Sequence, residues 1–206
     1  MTQGEMKLSG KNYSRNNSNG KRKKSDFYQT PYSMTRLFLQ AEDISTDYTI
    51  LEPCCGDGAI TKVLSEFGYD HVTSYDISGG IDFLDEKEEF DFIVTNPPYS
   101  LSSQFVFKAK EVCRKGFAFL FPLTYLQGNF RLKNIWSDKV FPLRRIHVFS
   151  RYPMLGESLR EDGKVNTGMQ AYAWFVFLRG FVGDPTISWL DINDFIIRKS
   201  DRKVIN

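Results

Sequence analysis

The sequence predicts an α/β fold: a mostly parallel sheet with helices on both faces and an antiparallel strand near the carboxyl terminus. Between residues 26 and 149, short apolar runs alternate with segments whose apolar residues recur at helical spacing, as in βαβ units. The apolar run Ala171–Leu178 then follows a polar connector, residues 151–170, that shows no helical pattern. Because a parallel return needs a crossover, usually a helix, we expect this strand to be antiparallel to its neighbour.

The first helix is predicted near residue 30. Thr30 can cap it, Pro31 suits its first turn, and Met34, Leu37 and Phe38 recur at helical spacing. Further strands are predicted at Thr49–Leu51, Val72–Tyr75, Phe92–Thr95, Phe117–Phe121 and Ile146–Phe149, with a short edge strand at Thr186–Leu190. Further helices are predicted at Ala59–Phe67, Ser103–Arg114 and Tyr125–Trp136. The connector 151–170 is expected to hang over the carboxyl edge of the sheet.

The charge of the chain is unevenly distributed. Residues 1–25 hold seven bases and one acid, which leaves 20 bases against 24 acids in the rest of the chain. Because residues 1–25 are rich in Asn, Ser, Gly and Lys, we expect a disordered basic arm, followed by a single domain over residues 26–206. Such an arm suits attraction to a phosphate backbone, and a merely solubilising tail is the alternative.

The composition argues against several classes of protein. No stretch approaches the roughly 20 apolar residues of a membrane span, and the amino terminus lacks the apolar core of a signal peptide. A cytoplasmic protein is therefore expected, with a nuclear-type basic tail as the weaker alternative. The three cysteines give no disulfide framework. Together with only two histidines in the chain they make a poor set of metal ligands, so no metal is expected.

The most informative motif is Asn96-Pro97-Pro98-Tyr99, which directly follows a predicted buried strand. The two prolines stop the strand and fix the backbone, so an amide and an aromatic ring are held at the strand's carboxyl end. Open α/β sheets bind their ligands at that edge. An amide beside an aromatic ring can bind a planar amino group, which suggests chemistry on an exocyclic amine.

A second constellation surrounds a glycine-bearing turn after the first predicted strand. Gly56 and Gly58 allow positive φ angles and close approach of the backbone to a ligand. Glu52 and Asp57 would repel a pyrophosphate, so they favour a ligand with an ammonium group or ribose hydroxyls. Asp76 ends the next predicted strand, where an acid can accept hydrogen bonds from both ribose hydroxyls, and a helix cap is the alternative.

A third motif, the pair Asp82 and Phe83, follows Asp76 in the chain. Asp82 can accept a hydrogen bond from an adenine amino group while Phe83 packs on the adenine ring. The alternative is a turn acid next to a core phenylalanine.

These motifs occur in the order seen in the S-adenosylmethionine-dependent amino-methyltransferases. The chain resembles an N6-adenine DNA methyltransferase with the motif order of the gamma group, in its compact phage-encoded form. The resemblance spans roughly residues 26–180 and implies a Rossmann-like methyltransferase sheet. The four residues of Asn96–Tyr99 are the most specific part of the resemblance, whereas the other motifs are persuasive mainly as an ordered set.

The resemblance implies a role for each matching residue. Asn96 and Pro97 would bind the target amine through their carbonyl oxygens, and Tyr99 would stack on the target base. S-adenosylmethionine would be the cofactor, and the residues implied to bind it are Tyr28, Thr30, Pro31, Glu52, Pro53, Gly56, Gly58, Asp76, Asp82 and Phe83. The methyl group would pass directly to the amine, and Cys54 and Cys55 would not act as nucleophiles.

The partner implied is nucleic acid, most simply DNA. The connector 151–170 is the candidate recognition insertion, with Arg160, Lys164, Asn166 and Gln170 as candidate base contacts, and a flexible loop without such contacts is the alternative. Short or relaxed sequence recognition is expected. A candidate path for the nucleic-acid backbone runs along Arg131, Lys133, Arg144, Arg145 and Arg151.

Several alternatives stay open. The same chemistry can act on RNA adenine, on cytosine N4 or on a protein glutamine amide, although the basic arm disfavours a protein and Asn rather than Ser at position 96 disfavours cytosine. A nucleic-acid-binding module without turnover is a second class. A dinucleotide-dependent dehydrogenase is a third, and the chain lacks its full glycine fingerprint.

Overall fold

A computed structural model describes residues 30–150 and 171–191 of the 206-residue chain. The amino-terminal arm, Tyr28 and the connector 151–170 lie outside these residues. The helices are α1 Tyr32–Ala41, α2 Ala59–Glu66, α3 Ser102–Val112 and the single turn α4 Asn129–Arg131. The strands are β1 Ile50–Glu52, β2 Val72–Ser74, β3 Phe90–Thr95, β4 Cys113–Pro122, β5 Leu143–Phe149, β6 Tyr172–Leu178 and β7 Thr186–Leu190. No helix within the described ranges is long and apolar enough to cross a membrane.

The seven strands form one sheet in the order β2-β1-β3-β4-β6-β5-β7. Strands β1 to β4 are parallel to one another, and β5 is parallel to the edge strand β7. Strand β6 lies between β4 and β5 and is antiparallel to both. The predicted mostly parallel sheet with an antiparallel strand near the carboxyl-terminal end is therefore confirmed, as is the predicted edge strand.

The central strands are buried on both faces, which explains their continuous apolar runs. On β4, Phe117, Phe119 and Phe121 point into the cluster under α3, whereas Ala118 and Leu120 point into the cluster under α1 and α2. All five side chains are fully buried. Two apolar layers therefore hold the sheet between its helices, and together they fix the strand ends that carry the polar motifs.

The helix predicted over Tyr125–Trp136 is wrong in part. A 3-10 turn, Leu123–Leu126, is followed by a break at Gly128, whose φ is 128°. The chain then forms α4 and a π-helical turn, Leu132–Trp136. The apolar spacing of the segment is helical, but the left-handed backbone at Gly128 divides it into two turns.

Two predicted boundaries also differ from the structure. Helix α3 ends at Val112, and β4 begins directly at Cys113, four residues before the predicted strand. At the start of α1 the N-cap residue is Pro31, and no side chain caps the helix. The prediction that Thr30 caps α1 is therefore wrong, and the Thr30 hydroxyl has a different partner, described below.

Candidate active site

The polar motifs meet where the direction of the chain connections reverses. Strands β1 and β3 are neighbours, but the chain leaves β1 through α2 towards β2 on one side and leaves β3 through α3 towards β4 on the other. The two loops therefore diverge at the carboxyl edge, and such a switch point is where open α/β sheets bind ligands. Residues 53–58 follow β1, and residues 96–101 follow β3.

The Asn96 amide is held by two side chains. Its Nδ2 donates to the Oγ1 of Thr30 at 3.1 Å, and its Oδ1 accepts from the hydroxyl of Tyr99 at 3.1 Å. Thr30 is buried, and the strand end that precedes Asn96 is buried as well. Two different partners at the two ends of the amide fix its orientation.

The ring of Tyr99 lies beside a second aromatic ring. Tyr172, the first residue of β6, places its ring centroid 5.6 Å from that of Tyr99, at an angle of 33° between the planes. The sequence interpretation missed Tyr172. The signal was available, because an antiparallel strand brings its amino end to the edge where the parallel strands have their carboxyl ends.

The loop after β1 is tied to the end of β2. Gly56 and Gly58 have φ angles of 51° and 82°, so the turn uses the left-handed region that glycine favours. Asp76 accepts from the backbone N–H of Gly56 at 3.2 Å and from that of Ser78 at 2.9 Å. Partial burial acts to raise the pKa of the Asp76 carboxyl, but these hydrogen bonds outweigh it and lower the pKa below its usual value. Asp76 is therefore a carboxylate that supports the glycine turn, and it also caps the 3-10 turn Ile77–Gly79.

Glu52, the last residue of β1, is almost completely buried. Burial raises the pKa of its carboxyl to about 7, although a hydrogen bond from the Thr61 hydroxyl opposes the shift. Pro53 follows it and is also buried. Thr61, which lies on α2, is a second residue that the sequence interpretation missed, and no motif pointed to it.

Asp82 and Phe83 lie in a tight turn. The Asp82 carboxylate accepts from the backbone N–H of Leu84 at 2.9 Å, and Phe83 is buried with its ring 4.9 Å from that of Phe105. These contacts are those of a turn acid and a core phenylalanine. The adenine-binding role of the pair stays a prediction.

The three cysteines are free thiols. Burial, followed by the nearby Asp76 carboxylate, raises the pKa of Cys54 to about 12, and burial also raises the pKa of Cys55. Since the thiolate is the reactive form, these pKa shifts disfavour nucleophilic chemistry at either residue. Over the part of the chain that the structure describes, no three His, Cys, Asp or Glu side chains are grouped so as to hold a metal ion.

The basic residues predicted to follow the nucleic-acid backbone do not form one path. Arg144 and Arg145 lie near the amino end of β5, and both form ion pairs with the buried Glu42, at the edge of the sheet opposite to Asn96. Arg131 and Lys133 lie in the segment after β4, and Arg151 is outside the described residues. The sequence prediction is therefore wrong for Arg144 and Arg145, since their partner is a core carboxylate.

Comparison with known proteins gives a partial sequence relationship and a broad fold relationship. The type II methyltransferases M.HincII and M.HindII of Haemophilus influenzae are each 31% identical to this chain over 81 residues. The match covers 34% of this chain and 16% of each relative, so the chain spans a small part of their length. A scan against protein-family models finds no match.

Among solved structures, the type IIG restriction endonuclease BpuSI superimposes with a TM-score of 0.55 at 15% identity, covering 85% of this chain and 28% of that one. The M protein of the type I restriction enzyme EcoKI gives 0.52 at 12% identity, covering 82% and 49%. A proposed RNA methyltransferase of Pyrococcus horikoshii gives 0.51 at 14% identity, covering 75% and 88%.

The chain has the fold of the Rossmann-like methyltransferases. The fold brings the predicted cofactor loop and the predicted amine-binding motif to one edge of the sheet. Of the predicted site residues, Thr30, Asn96 and Tyr99 are in direct contact, as are Gly56 and Asp76. Tyr28 lies outside the described residues, and the individual roles of all these residues stay predictions.

Proposed function

We propose that this methyltransferase transfers a methyl group from S-adenosylmethionine to the N6 amino group of adenine in DNA. The observation that carries the proposal is the Asn96 amide, which is held by Thr30 and Tyr99 at the carboxyl end of β3, next to the glycine turn after β1. Residues 96–99 present carbonyl oxygens and an aromatic ring, the two groups needed to hold a planar amine.

The residues after β1 and β2 suit S-adenosylmethionine. Gly58, with its positive φ and no heavy atom within 4 Å of an added Cβ, leaves room for a ligand against the turn. The Asp76 carboxylate is ionised and can accept hydrogen bonds from ribose hydroxyls, and its partner Gly56 fixes its position. S-adenosylmethionine, when bound, supplies an electrophilic methyl group on a sulfonium.

Asn96 and Pro97 are proposed to activate the target amine. The lone pair of adenine N6 is delocalised into the ring, which makes the amine a poor nucleophile. The Oδ1 of Asn96 and the backbone oxygen of Pro97 would accept hydrogen bonds from the two N–H groups of the amine. These bonds favour a tetrahedral nitrogen whose lone pair points out of the ring plane. Positioning and electrostatic stabilisation of this form supply the rate acceleration.

Tyr99 and Tyr172 are proposed to receive the target base. An enzyme that modifies a base inside a duplex must first extrude it, and aromatic side chains then replace the lost stacking. The two rings lie at the same edge as Asn96, with their centroids 5.6 Å apart. Tyr99 thus contributes both the hydroxyl that holds Asn96 and a face for the base.

Two observations lead us to propose DNA as the substrate. The basic arm, residues 1–25, suits a phosphate backbone, and the relatives M.HincII and M.HindII are type II methyltransferases. RNA adenine, cytosine N4 and protein glutamine remain alternative acceptors with the same chemistry, and binding of nucleic acid without turnover is the non-enzymatic alternative.

The test is incubation of the protein with labelled S-adenosylmethionine and DNA, RNA or protein acceptors, followed by mass spectrometry of the digested products. The expected product is N6-methyladenine from DNA. The control variant Asn96→Ala should retain cofactor binding by calorimetry and lose methyl transfer. Methylation of RNA, cytosine or glutamine alone would show that the proposed substrate, adenine in DNA, is wrong. Full methyl transfer by Asn96→Ala would overturn the mechanism.

A further inference from the structure

The segment after β4 has an unusual surface. Residues 123–137, which follow β4, contain no Asp or Glu, and Arg131 and Lys133 lie among them. Three large apolar side chains are also exposed there, with Leu132 57%, Leu126 39% and Phe130 38% exposed. Residues 127–134, here called the β4 turn, therefore combine two basic residues, the exposed side chains of Phe130 and Leu132, and the amides of Gln127, Asn129 and Asn134.

The exposed side chains stand on an ordered base. The backbone N–H of Leu132 donates to the oxygen of Gly128 at 2.9 Å, and the Asn134 amide donates to the oxygen of Phe130 at 2.7 Å. Ile135 immediately follows the turn and is fully buried. Because the turn is tied together and anchored in the core, little conformational entropy would be lost when its side chains contact a partner.

The β4 turn is connected to the target-base site. Strand β4 is the direct neighbour of β3, and the hydroxyl of Tyr125, in the 3-10 turn after β4, lies 3.4 Å from that of Ser103. The hydroxyl of the adjacent Ser102 donates to the backbone oxygen of Tyr99 at 2.9 Å. The Arg131 guanidinium in turn lies 4.7 Å from the centroid of the Tyr125 ring. Only a few side chains therefore separate the turn from Tyr99.

We propose that the β4 turn is a DNA-contacting surface beside the extruded base, a proposal that rests on the proposed function. Extrusion of a base leaves a gap in the stack, and proteins that unstack DNA insert apolar side chains between bases. Leu132, the more exposed of the two apolar side chains, is proposed to fill that gap, while Phe130 packs edge-on against Phe107 of α3. Lys133 meets a phosphate, and the neighbouring amides are the side-chain type that reads base edges.

The charge of the turn favours DNA over a protein as the occupant. An interface with another protein would need the exposed apolar side chains, but it would tolerate acids. The lack of acids around Arg131 and Lys133 is what a negatively charged phosphate backbone requires. Asp138, the first acid after the turn, is bound to Lys110 at 2.7 Å and accepts from two backbone N–H groups, so it contributes little repulsion towards a phosphate.

Two matched pairs of variants test the proposal. Leu132→Ser is compared with Ile187→Ser, because the two side chains are 57% and 53% exposed and Ile187 lies on the edge strand β7. Lys133→Glu is compared with Lys87→Glu, another exposed lysine, which precedes β3. Binding is measured by fluorescence anisotropy with a labelled adenine-containing duplex over a range of salt concentrations, and base extrusion is measured with 2-aminopurine at the target position.

Leu132→Ser should weaken binding to the duplex by about tenfold, as expected for loss of one stacked side chain, and should reduce the 2-aminopurine signal. Lys133→Glu should weaken binding similarly and lower the salt slope by about one. Both control variants should bind as the wild type does. Wild-type affinity in Leu132→Ser and Lys133→Glu, or equal losses in the controls, would overturn the proposal.

The binding readout separates this proposal from the reaction. If the wild type binds DNA without methylating it, the catalytic proposal fails and the variants still test the turn. If it methylates DNA and all four variants bind as the wild type does, only the role of the turn fails. If the wild type binds no DNA, both proposals fail. A partner protein that binds the wild type but not Leu132→Ser would then show that the turn is a protein-binding surface instead.

Discussion

Asn96 is oriented by a residue that lies 66 positions earlier in the chain. The Thr30 hydroxyl accepts from its Nδ2, and Thr30→Val would remove this acceptor while keeping the side-chain shape. A buried donor without a partner costs about 1–3 kcal/mol, so we expect the rate of methyl transfer to fall about tenfold or more, with little change in the KM for DNA. Single-turnover kinetics measure this effect.

Thr30→Ser is the control, because it keeps the hydroxyl and should restore most of the rate. Since Thr30 is also a predicted cofactor residue, calorimetry with S-adenosylmethionine must accompany the kinetics. A slow Thr30→Val variant whose only defect is weak cofactor binding would contradict the positioning role.

Glu52 should make the stability of the fold depend on pH. Burial raises the pKa of this carboxyl from 4.5 to about 7, so the native state holds a proton that the unfolded chain releases. This contribution to the free energy of unfolding is complete below pH 4.5 and is lost as the pH rises through about 7. At 1.36 kcal/mol per pKa unit, the free energy of unfolding changes by about 3 kcal/mol. Urea unfolding at pH 5 and pH 8 should show this loss in the wild type, and Glu52→Gln should lack this part of it. An identical pH dependence in both proteins would contradict the raised pKa.

At the scale of elements, Gly116 sets how closely β4 packs between its neighbours. A Cβ on Gly116 would lie 2.6 Å from the backbone oxygen of Phe177 and 2.7 Å from the ring of Phe92. Because the backbone of β6 cannot move without breaking its ladder, Gly116→Ala should destabilise the fold by about 1–3 kcal/mol, as overpacked cores do. Thermal unfolding measures the change.

Gly79→Ala is the matched control for that substitution. An added Cβ at Gly79 has no heavy atom within 4 Å, and the residue is exposed. Its effect on the melting temperature should be small, and equal effects at the two positions would show that the packing argument is wrong.

Prediction from sequence succeeded best for elements whose signals are local. The Phe92–Thr95 strand, the two prolines after Asn96 and the glycine turn after β1 each carry their own pattern, so the strand end and the turn lie where the sequence predicts them. The segment after β4 was not, because one left-handed glycine outweighed its helical spacing. Boundaries such as Val112–Cys113 depend on pairing across the sheet, which local patterns do not contain.

At the scale of the whole molecule, Glu42 joins the first helix to the last strands. It lies just after α1, and its carboxylate contacts Arg144, Arg145 and His147, whose other ring nitrogen contacts Ser188 on β7 at 2.6 Å. No sequence pattern paired these residues, which are separated by more than 100 positions, so only the assembled sheet reveals the network.

Removal of Glu42 should be costly. Glu42→Ala would leave buried cationic and polar groups without a partner, and we expect a loss of about 3–5 kcal/mol in the free energy of unfolding. Glu89→Ala is the control, because Glu89 is exposed and lies 3.8 Å from Arg114, and such surface pairs contribute about 0–1 kcal/mol. Denaturant titration distinguishes the two, and similar small losses would mean that the Glu42 network contributes little.

The insertion of β6 between β4 and β5 has a consequence for synthesis of the chain. In the described sheet, β5 pairs only with β6 and β7, both of which leave the ribosome after it. A nascent chain that ends near residue 170 therefore carries β5 without neighbours, and β4 with one side open. Exposed strands of this kind invite aggregation, so the protein must pass through this vulnerable interval each time it is made.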